Sequence, residues 1–176
     1  MNRCHRPMDR SSRSRLTEQL LPAFAGETLF DAIGRAVCHA HCLPRKELFE
    51  AWEVARRVRR RFRGGRIVDL ACGHGLVAQI LLLLDDSSPV ALAVDQRIPK
   101  SAAILEAALW AEWPRLRDRV RFIETDLRNV PLHRDDLVVS AHACGGLTDL
   151  ILERAVEAGA RVAVLPCCHD LKSGDL

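Results

Sequence analysis

Ile67-Val68-Asp69-Leu70-Ala71-Cys72-Gly73-His74-Gly75 is the stretch on which the reading of the fold turns. Arg66 to Ala71 is a short apolar run that closes on glycines, so it reads as a buried strand entering a tight turn. His74 to Leu84 is apolar almost throughout and reads as a helix. The same alternation continues downstream. Strands are expected at 90–94, 120–123, 136–140 and 161–165, with helices at 101–113 and 147–158. Val90-Ala91-Leu92-Ala93-Val94 is continuously apolar, as strands covered on both faces are. Strands and helices in this order make βαβ units, hence an α/β, Rossmann-like fold whose mostly parallel sheet has helices on both faces.

Upstream of Gly64-Gly65 the period is helical. Phe30, Ile33, Val37 and His41 recur at three- and four-residue steps, Pro44 breaks the run, and Leu48, Trp52, Ala55 and Val58 mark a second helix. The outer face of that helix is expected to carry Arg56, Arg57, Arg59, Arg60 and Arg61. Residues 1–15 are Arg- and Ser-rich and read as a flexible basic tail, 16–65 as an N-terminal helical lid, and 66–176 as the sheet domain.

Composition sets limits. The 176 residues are 48% hydrophobic and 28% charged, which suits a folded domain with an ordinary surface. The longest apolar run, Val77 to Leu84, is broken by Gln79 and falls well short of the roughly 20 residues a membrane span needs. The N-terminus has no apolar core of a secretory signal, so the cytoplasm is expected. Aromatics are 5% with no Tyr, which argues against a stacking platform for single-stranded nucleic acid. The net charge of +3 divides into +8 over residues 1–66 and −5 over 67–176. The basic half suits a polyanionic partner, RNA among them, or a solvated helix face, and both readings stay open. The seven cysteines are odd in number, and free thiols in a reducing compartment are expected.

An acid at the end of a strand, then small residues and glycines, then a helix, is the arrangement of a nucleotide-type cofactor site. Glycines let backbone approach a ligand closely, and a helix start presents unpaired N–H groups. About twenty residues on, the second strand ends in Asp95-Gln96, and an acid there accepts hydrogen bonds from ribose hydroxyls. The third strand runs into Glu124-Thr125-Asp126-Leu127, which would place Asp126 beside an adenine ring. A dinucleotide oxidoreductase would show Gly-x-Gly-x-x-Gly; Ala78 holds the last position here, and Asp69 ahead of the glycines argues against that class.

The pattern resembles class I S-adenosylmethionine (SAM) methyltransferases, whose first motif reads acid-x-Gly-x-Gly-x-Gly, with Ala71 standing at the first glycine. Ser140-Ala141-His142-Ala143-Cys144-Gly145-Gly146-Leu147-Thr148-Asp149-Leu150 and Leu165-Pro166-Cys167-Cys168-His169 narrow the likeness. They are similar to segments of a subgroup that holds tRNA acceptor-stem 2′-O-methyltransferases and the methyltransferase module of glutathione-transferase-C-terminal-domain-containing proteins. The resemblance implies SAM as cofactor, with Asp69, Ala71, Cys72, Gly73, Gly75, Asp95, Gln96, Asp126 and Leu127 around it. It also implies Arg45, Lys46 and Glu47 at the pocket from above, as lid or substrate contacts. It leaves the methyl acceptor and the oligomeric state open.

His142, Cys144 and His169 are the candidates on the acceptor side. They follow strands at whose carboxyl ends ligands bind in open parallel sheets, and a His there could take a proton from a hydroxyl. Cys167 and Cys168 read equally well as small residues packed under the cofactor, and His142 as a polar group holding its loop. Cys38-His39-Ala40-His41-Cys42 has ligand-type residues one helical turn apart, but four so close in one helix cannot converge on one metal ion. No metal is expected. The last helix and strand pair usual in the resembled fold are not visible before Leu176, so a catalytically inert SAM- or RNA-binding module, or a fragment of a larger methyltransferase, is the alternative reading.

Overall fold

The computed structural model describes residues 8–166. The five strands are β1 (Ile67–Leu70), β2 (Ala91–Asp95), β3 (Val120–Glu124), β4 (Leu137–Ser140) and β5 (Arg161–Val164). They form one sheet in the order β3-β2-β1-β4-β5, and every pairing is parallel. The α-helices among the described residues are α1 (Leu29–Ala40), α2 (Arg45–Arg61), α3 (Leu76–Leu84), α4 (Ala102–Glu112) and α5 (Gly146–Glu157). This is the Rossmann-like methyltransferase fold expected from the sequence, with each element of the sheet domain within two residues of its expected bounds.

Alternation along the strands builds two cores. Ile67, Ala91, Ala93, Leu137 and Val139 face one side and pack with α1 to α4. Val68, Leu70, Leu92, Val94 and Val138 face the other and pack with Ile151 and Ala155 of α5. A side-chain period of two on a sheet covered on both faces buries apolar residues at successive positions, which is why these strands read as nearly continuous apolar runs. All residues of β1 and β4 are buried.

Local chemistry starts and stops the helices. Thr28 caps α1: its hydroxyl oxygen accepts the Asp31 N–H at 3.2 Å. The helix ends at His41, held in the left-handed region at φ 54° with its N–H on the Val37 carbonyl. Pro44 then sets α2, whose last turn carries Arg59, Arg60 and Arg61 at the negative end of the helix dipole.

The structure differs from the sequence reading in three places here. A 3₁₀ helix spans Glu18–Phe24, with Pro22 inside it, in a part of the expected helical lid where no separate element was read. Residues 12–16, read as the end and immediate sequel of a flexible tail, are clasped to the start of α2. Leu16, Arg45 and Lys46 donate their N–H groups to Leu43, Ser14 and Ser12 carbonyls at 2.8, 3.0 and 3.1 Å. Arg59 is not on an exposed face; it is 5% exposed, and its guanidinium donates to the Leu81 carbonyl and the Ser88 hydroxyl, both at 3.0 Å. Ala51, Ala55 and Arg59 lie four apart on one buried row of α2, so the arginine is carried inward and ties α2 to the end of α3.

Candidate functional site

The strand order switches sides at β1: β2 and β3 lie on one side of it, β4 and β5 on the other. The loops leaving β1 and β4 therefore diverge, and a crevice opens at their carboxyl ends. A cavity of about 260 Å³ sits there. The β1 loop lines it with Ala71, Cys72, Gly73 and His74, β2 with Asp95, and the loop after β4 with His142. Leu43, Glu47 and Ala51 close it from the side of α2.

The β1 loop is held from both ends. Asp69, 1% exposed, accepts the Ala78 N–H at 3.2 Å and so ties the strand to the first turn of α3. The Cys72 N–H donates to the Val94 carbonyl at 3.0 Å, and Gly73 N–H donates to Asp95 Oδ2 at 2.9 Å. Three residues of the loop are left-handed: Ala71 at φ 57°, Gly73 at 53° and Gly75 at 67°. Ala71 stands where a glycine would sit without strain, a departure that costs about 1 kcal/mol and is typical of functional loops.

The two glycines serve different ends. A Cβ on Gly73 would meet nothing within 4 Å, so its bareness leaves room for a ligand against the backbone. A Cβ on Gly75 would lie 2.7 Å from Phe122 Cζ and 3.2 Å from Ala93 Cβ, so Gly75 is bare for packing against β2 and β3.

Burial pushes the Asp69 carboxyl up to about 7; the Asp95 charge adds to this and the Ala78 N–H opposes it. A carboxyl raised in the folded state holds a proton that the unfolded chain has released. Its stabilisation is thus complete below the unfolded pKa of about 4, is lost as pH rises toward 7, and is flat above. Asp69→Asn should therefore gain on wild type by on the order of 2 kcal/mol between pH 5 and pH 8 in urea denaturation. A difference that does not change with pH would show that Asp69 is ionised throughout.

The other expected site residues are placed as follows. Of Arg45, Lys46 and Glu47, only Glu47 lines the cavity; Lys46 pairs with Glu50 at 3.4 Å on another face of α2. Burial pushes the Glu47 carboxyl up, and His142 is the largest of the charges that oppose this. Gln96 is exposed, and Leu127 is 2% exposed within the α5-side core. Asp126 accepts the Arg128 N–H at 2.8 Å and caps a short 3₁₀ turn. Gln96, Asp126 and Leu127 do not line the cavity.

His74 was missed as a site residue although it lies inside the quoted loop. Its Nε2 is 2.9 Å from the Ser101 hydroxyl, and burial holds its pKa below the usual histidine value. The expectation of seven free thiols is corrected at Cys144, which is disulfide-bonded, whereas Cys38, Cys42 and Cys72 are free. Parallel pairing of Ser140 with Val164 sets the loop bearing Cys144 beside the chain leaving β5. Cys167, Cys168 and His169 lie outside the described residues. Cys38 is fully buried in the α1 core, while His39 and His41 turn to Glu18 at 3.5 and 3.9 Å. Among the described residues no three His, Cys, Asp or Glu side chains group to hold a metal, and no helix is long and apolar enough to cross a membrane.

A five-stranded parallel sheet with an acid-and-glycine loop at its switch point defines a Rossmann-like cofactor-binding domain. The chain belongs to the methyltransferase-domain family, whose model matches residues 47–173. Comparison with curated protein sequences gives no match. Among solved structures, an assigned O-methyltransferase from Nostoc punctiforme is 17% identical at TM-score 0.50, over 77% of this chain and 40% of that one. An assigned S-adenosyl-L-methionine-dependent methyltransferase from Methanococcus maripaludis is 19% identical at TM-score 0.49, over 80% and 66%. M. capricolum TrmK, solved with S-adenosyl-homocysteine, is 16% identical at TM-score 0.45, over 66% and 51%. At 17% identity the likeness to the first of these concerns the fold alone, and the chain spans from two fifths to two thirds of the length of the three structures.

The cofactor of the family is SAM, and the residues that line the cavity suit it. The open face of Gly73 and the carboxylate of Asp95 at the end of β2 are what a nucleoside with a backbone-hugging tail requires.

Proposed function

We propose that this chain transfers a methyl group from SAM to a hydroxyl of RNA at the crevice between β1, β2 and β4. The observation that carries this reading is the meeting of Asp95, Gly73 and His142 around one cavity at the switch point of the sheet. Bound SAM supplies an electrophilic methyl on a sulfonium sulfur. Asp95 would accept from the ribose hydroxyls, and Gly73 would let the amino-acid end lie against backbone. His142 stands on the β4 side of the same cavity, where it would take the proton that the acceptor oxygen releases as its bond to the methyl forms. Cys144 holds no free thiol in its disulfide form and has no part in that step.

The subgroup likeness of 140–150 and 165–169 to tRNA acceptor-stem 2′-O-methyltransferases supports a ribose hydroxyl as acceptor. The basic charge of residues 1–66 supports RNA as the molecule that carries it. A reducing, cytoplasmic setting belongs to the same reading; free Cys38, Cys42 and Cys72 support it, and the disulfide at Cys144 stands against it.

Incubation with methyl-tritiated SAM and separate pools of total RNA, total protein and small molecules tests the reading. Label is expected in RNA alone. His142→Asn should lower the rate by about 10²-fold or more, as loss of a general base does, with SAM affinity within about threefold of wild type. Label confined to protein or small molecules, label in no pool, or an undiminished His142→Asn variant would each overturn it.

A further inference from the structure

Helix α2 is a wall with two sides. Glu47 and Ala51 face the cofactor cavity, whereas Phe49, Trp52 and Glu53 face a separate groove of about 830 Å³. The low aromatic content argued against a stacking platform, yet the fold gathers three rings here. Phe30 lies 5.2 Å from Phe49 and 5.1 Å from Trp52 between ring centroids, at interplanar angles of 48° in both cases. Two guanidiniums lie over these rings: Arg10 is 5.3 Å from the Phe49 centroid and Arg56 is 5.9 Å from the Trp52 centroid.

An arginine laid on a ring has given up much of its rotamer freedom and still presents the edge of its planar fork, which makes it a preorganised anion receptor. Lys46 and Arg57 add two further cations to the groove, against the carboxylates of Glu50 and Glu53. The ion pairs within it, Lys46–Glu50, Arg56–Glu53 and Arg57–Glu53, join side chains 29–74% exposed, so they are weak and can exchange for a phosphate. Arg10 is brought in by the clasp of residues 12–16 on the start of α2. Leu165, just past β5, lines the groove as well, so it reaches the same carboxyl edge of the sheet as the cofactor cavity.

We infer that this groove is a docking site for a single-stranded nucleic acid segment, with phosphates on Arg10, Lys46, Arg56 and Arg57 and a base against the exposed part of the Phe49–Trp52 rings. Excess positive charge selects a polyanion, and the rings select one whose units are planar, which an acidic peptide or an anionic lipid headgroup does not provide. The inference deepens the RNA reading and rests on it. Docking along the outer side of α2 would bring a strand to the edge where His142 stands.

Fluorescence anisotropy of the full chain with a labelled oligouridine dodecamer tests it. About four neutralised phosphates give a log–log salt slope near −2.8, hence roughly 50-fold weaker binding at 200 mM than at 50 mM salt. The double variant Arg56→Ala/Arg57→Ala changes only exposed side chains and should reduce the slope to about −1.4, or roughly sevenfold over the same range. Trp52→Leu should weaken binding about fivefold or more at fixed salt. Polyglutamate of equal charge should compete at least tenfold less well. Binding unaltered in both variants, or polyglutamate competing equally, would overturn the groove assignment. SAM titration of the same preparations keeps the two readings apart: intact SAM binding with no effect of the groove variants removes the groove alone. Wild type that binds SAM but neither binds the dodecamer nor labels RNA removes the RNA reading with it.

Discussion

Asp95→Ala should weaken SAM binding by about 100-fold or more. The carboxylate ends β2, its Oδ2 accepts the Gly73 N–H at 2.9 Å, and its Oδ1 accepts the Arg97 N–H at 3.2 Å. It thus holds the ligand-facing glycine and, in the proposed complex, would also accept from the ribose. A hydrogen bond to a charged group is worth about 1.5–3 kcal/mol, and each 1.4 kcal/mol is tenfold in affinity, so losing two contacts to ribose accounts for the size of the effect. Loss of the Gly73 tether adds disorder to the loop and raises it further. Asp95→Asn keeps one acceptor oxygen and should fall between wild type and Asp95→Ala. Isothermal titration on the three proteins reads the series, and equal affinities would move the cofactor away from the end of β2.

Gly75→Ala should destabilise the fold by about 2–5 kcal/mol. Two costs add. The residue is left-handed at φ 67°, which costs an L-residue roughly 1–2 kcal/mol. Its new Cβ would lie 2.7 and 2.8 Å from Phe122 Cζ and Cε1, and overpacking of a core typically costs about 1–3 kcal/mol. Gly73→Ala carries the first cost without the second, because nothing lies within 4 Å of its Cβ position. The ordering is the informative result: in urea denaturation Gly75→Ala should unfold earlier than Gly73→Ala, while Gly73→Ala should be the variant with lost SAM affinity relative to its stability. Equal loss of stability in both would show that Phe122 moves aside.

These two results rest on a distinction that was not legible in the sequence. Gly73 and Gly75 look alike in a Gly-x-Gly motif, and only the fold brings Phe122 of β3 against the second. The sheet itself was legible because its strands are short, apolar and bounded by turn residues, and because parallel strands covered on both faces cannot hide a polar alternation. The site was legible as far as strand ends mark it: Ala71 to Gly73, Asp95 and His142 converge as the switch-point geometry requires. What failed were questions of rotation about a helix and of contacts distant in sequence. Lys46 and Glu47 are neighbours in sequence, yet about 100° of helical rotation sends one to the groove and the other to the cavity. The burial of Arg59 had a signal, the i, i+4 row Ala51–Ala55–Arg59, but the charge of its neighbours outweighed it. The disulfide at Cys144 had none, since residue type and spacing do not say which thiols meet in the fold. Asp126 stands at the end of β3 as the sequence places it, and its carboxylate accepts from Arg128 two residues on.

The central claim is that the cavity at the carboxyl ends of β1, β2 and β4 binds SAM. Titration calorimetry of the full chain with SAM, S-adenosylhomocysteine and NAD tests it most directly. Saturable one-to-one binding of SAM and of S-adenosylhomocysteine is predicted, with a rise in melting temperature on addition of either and none with NAD. Absence of heat and of any melting shift with both sulfur compounds, or an equal response to NAD, would contradict it.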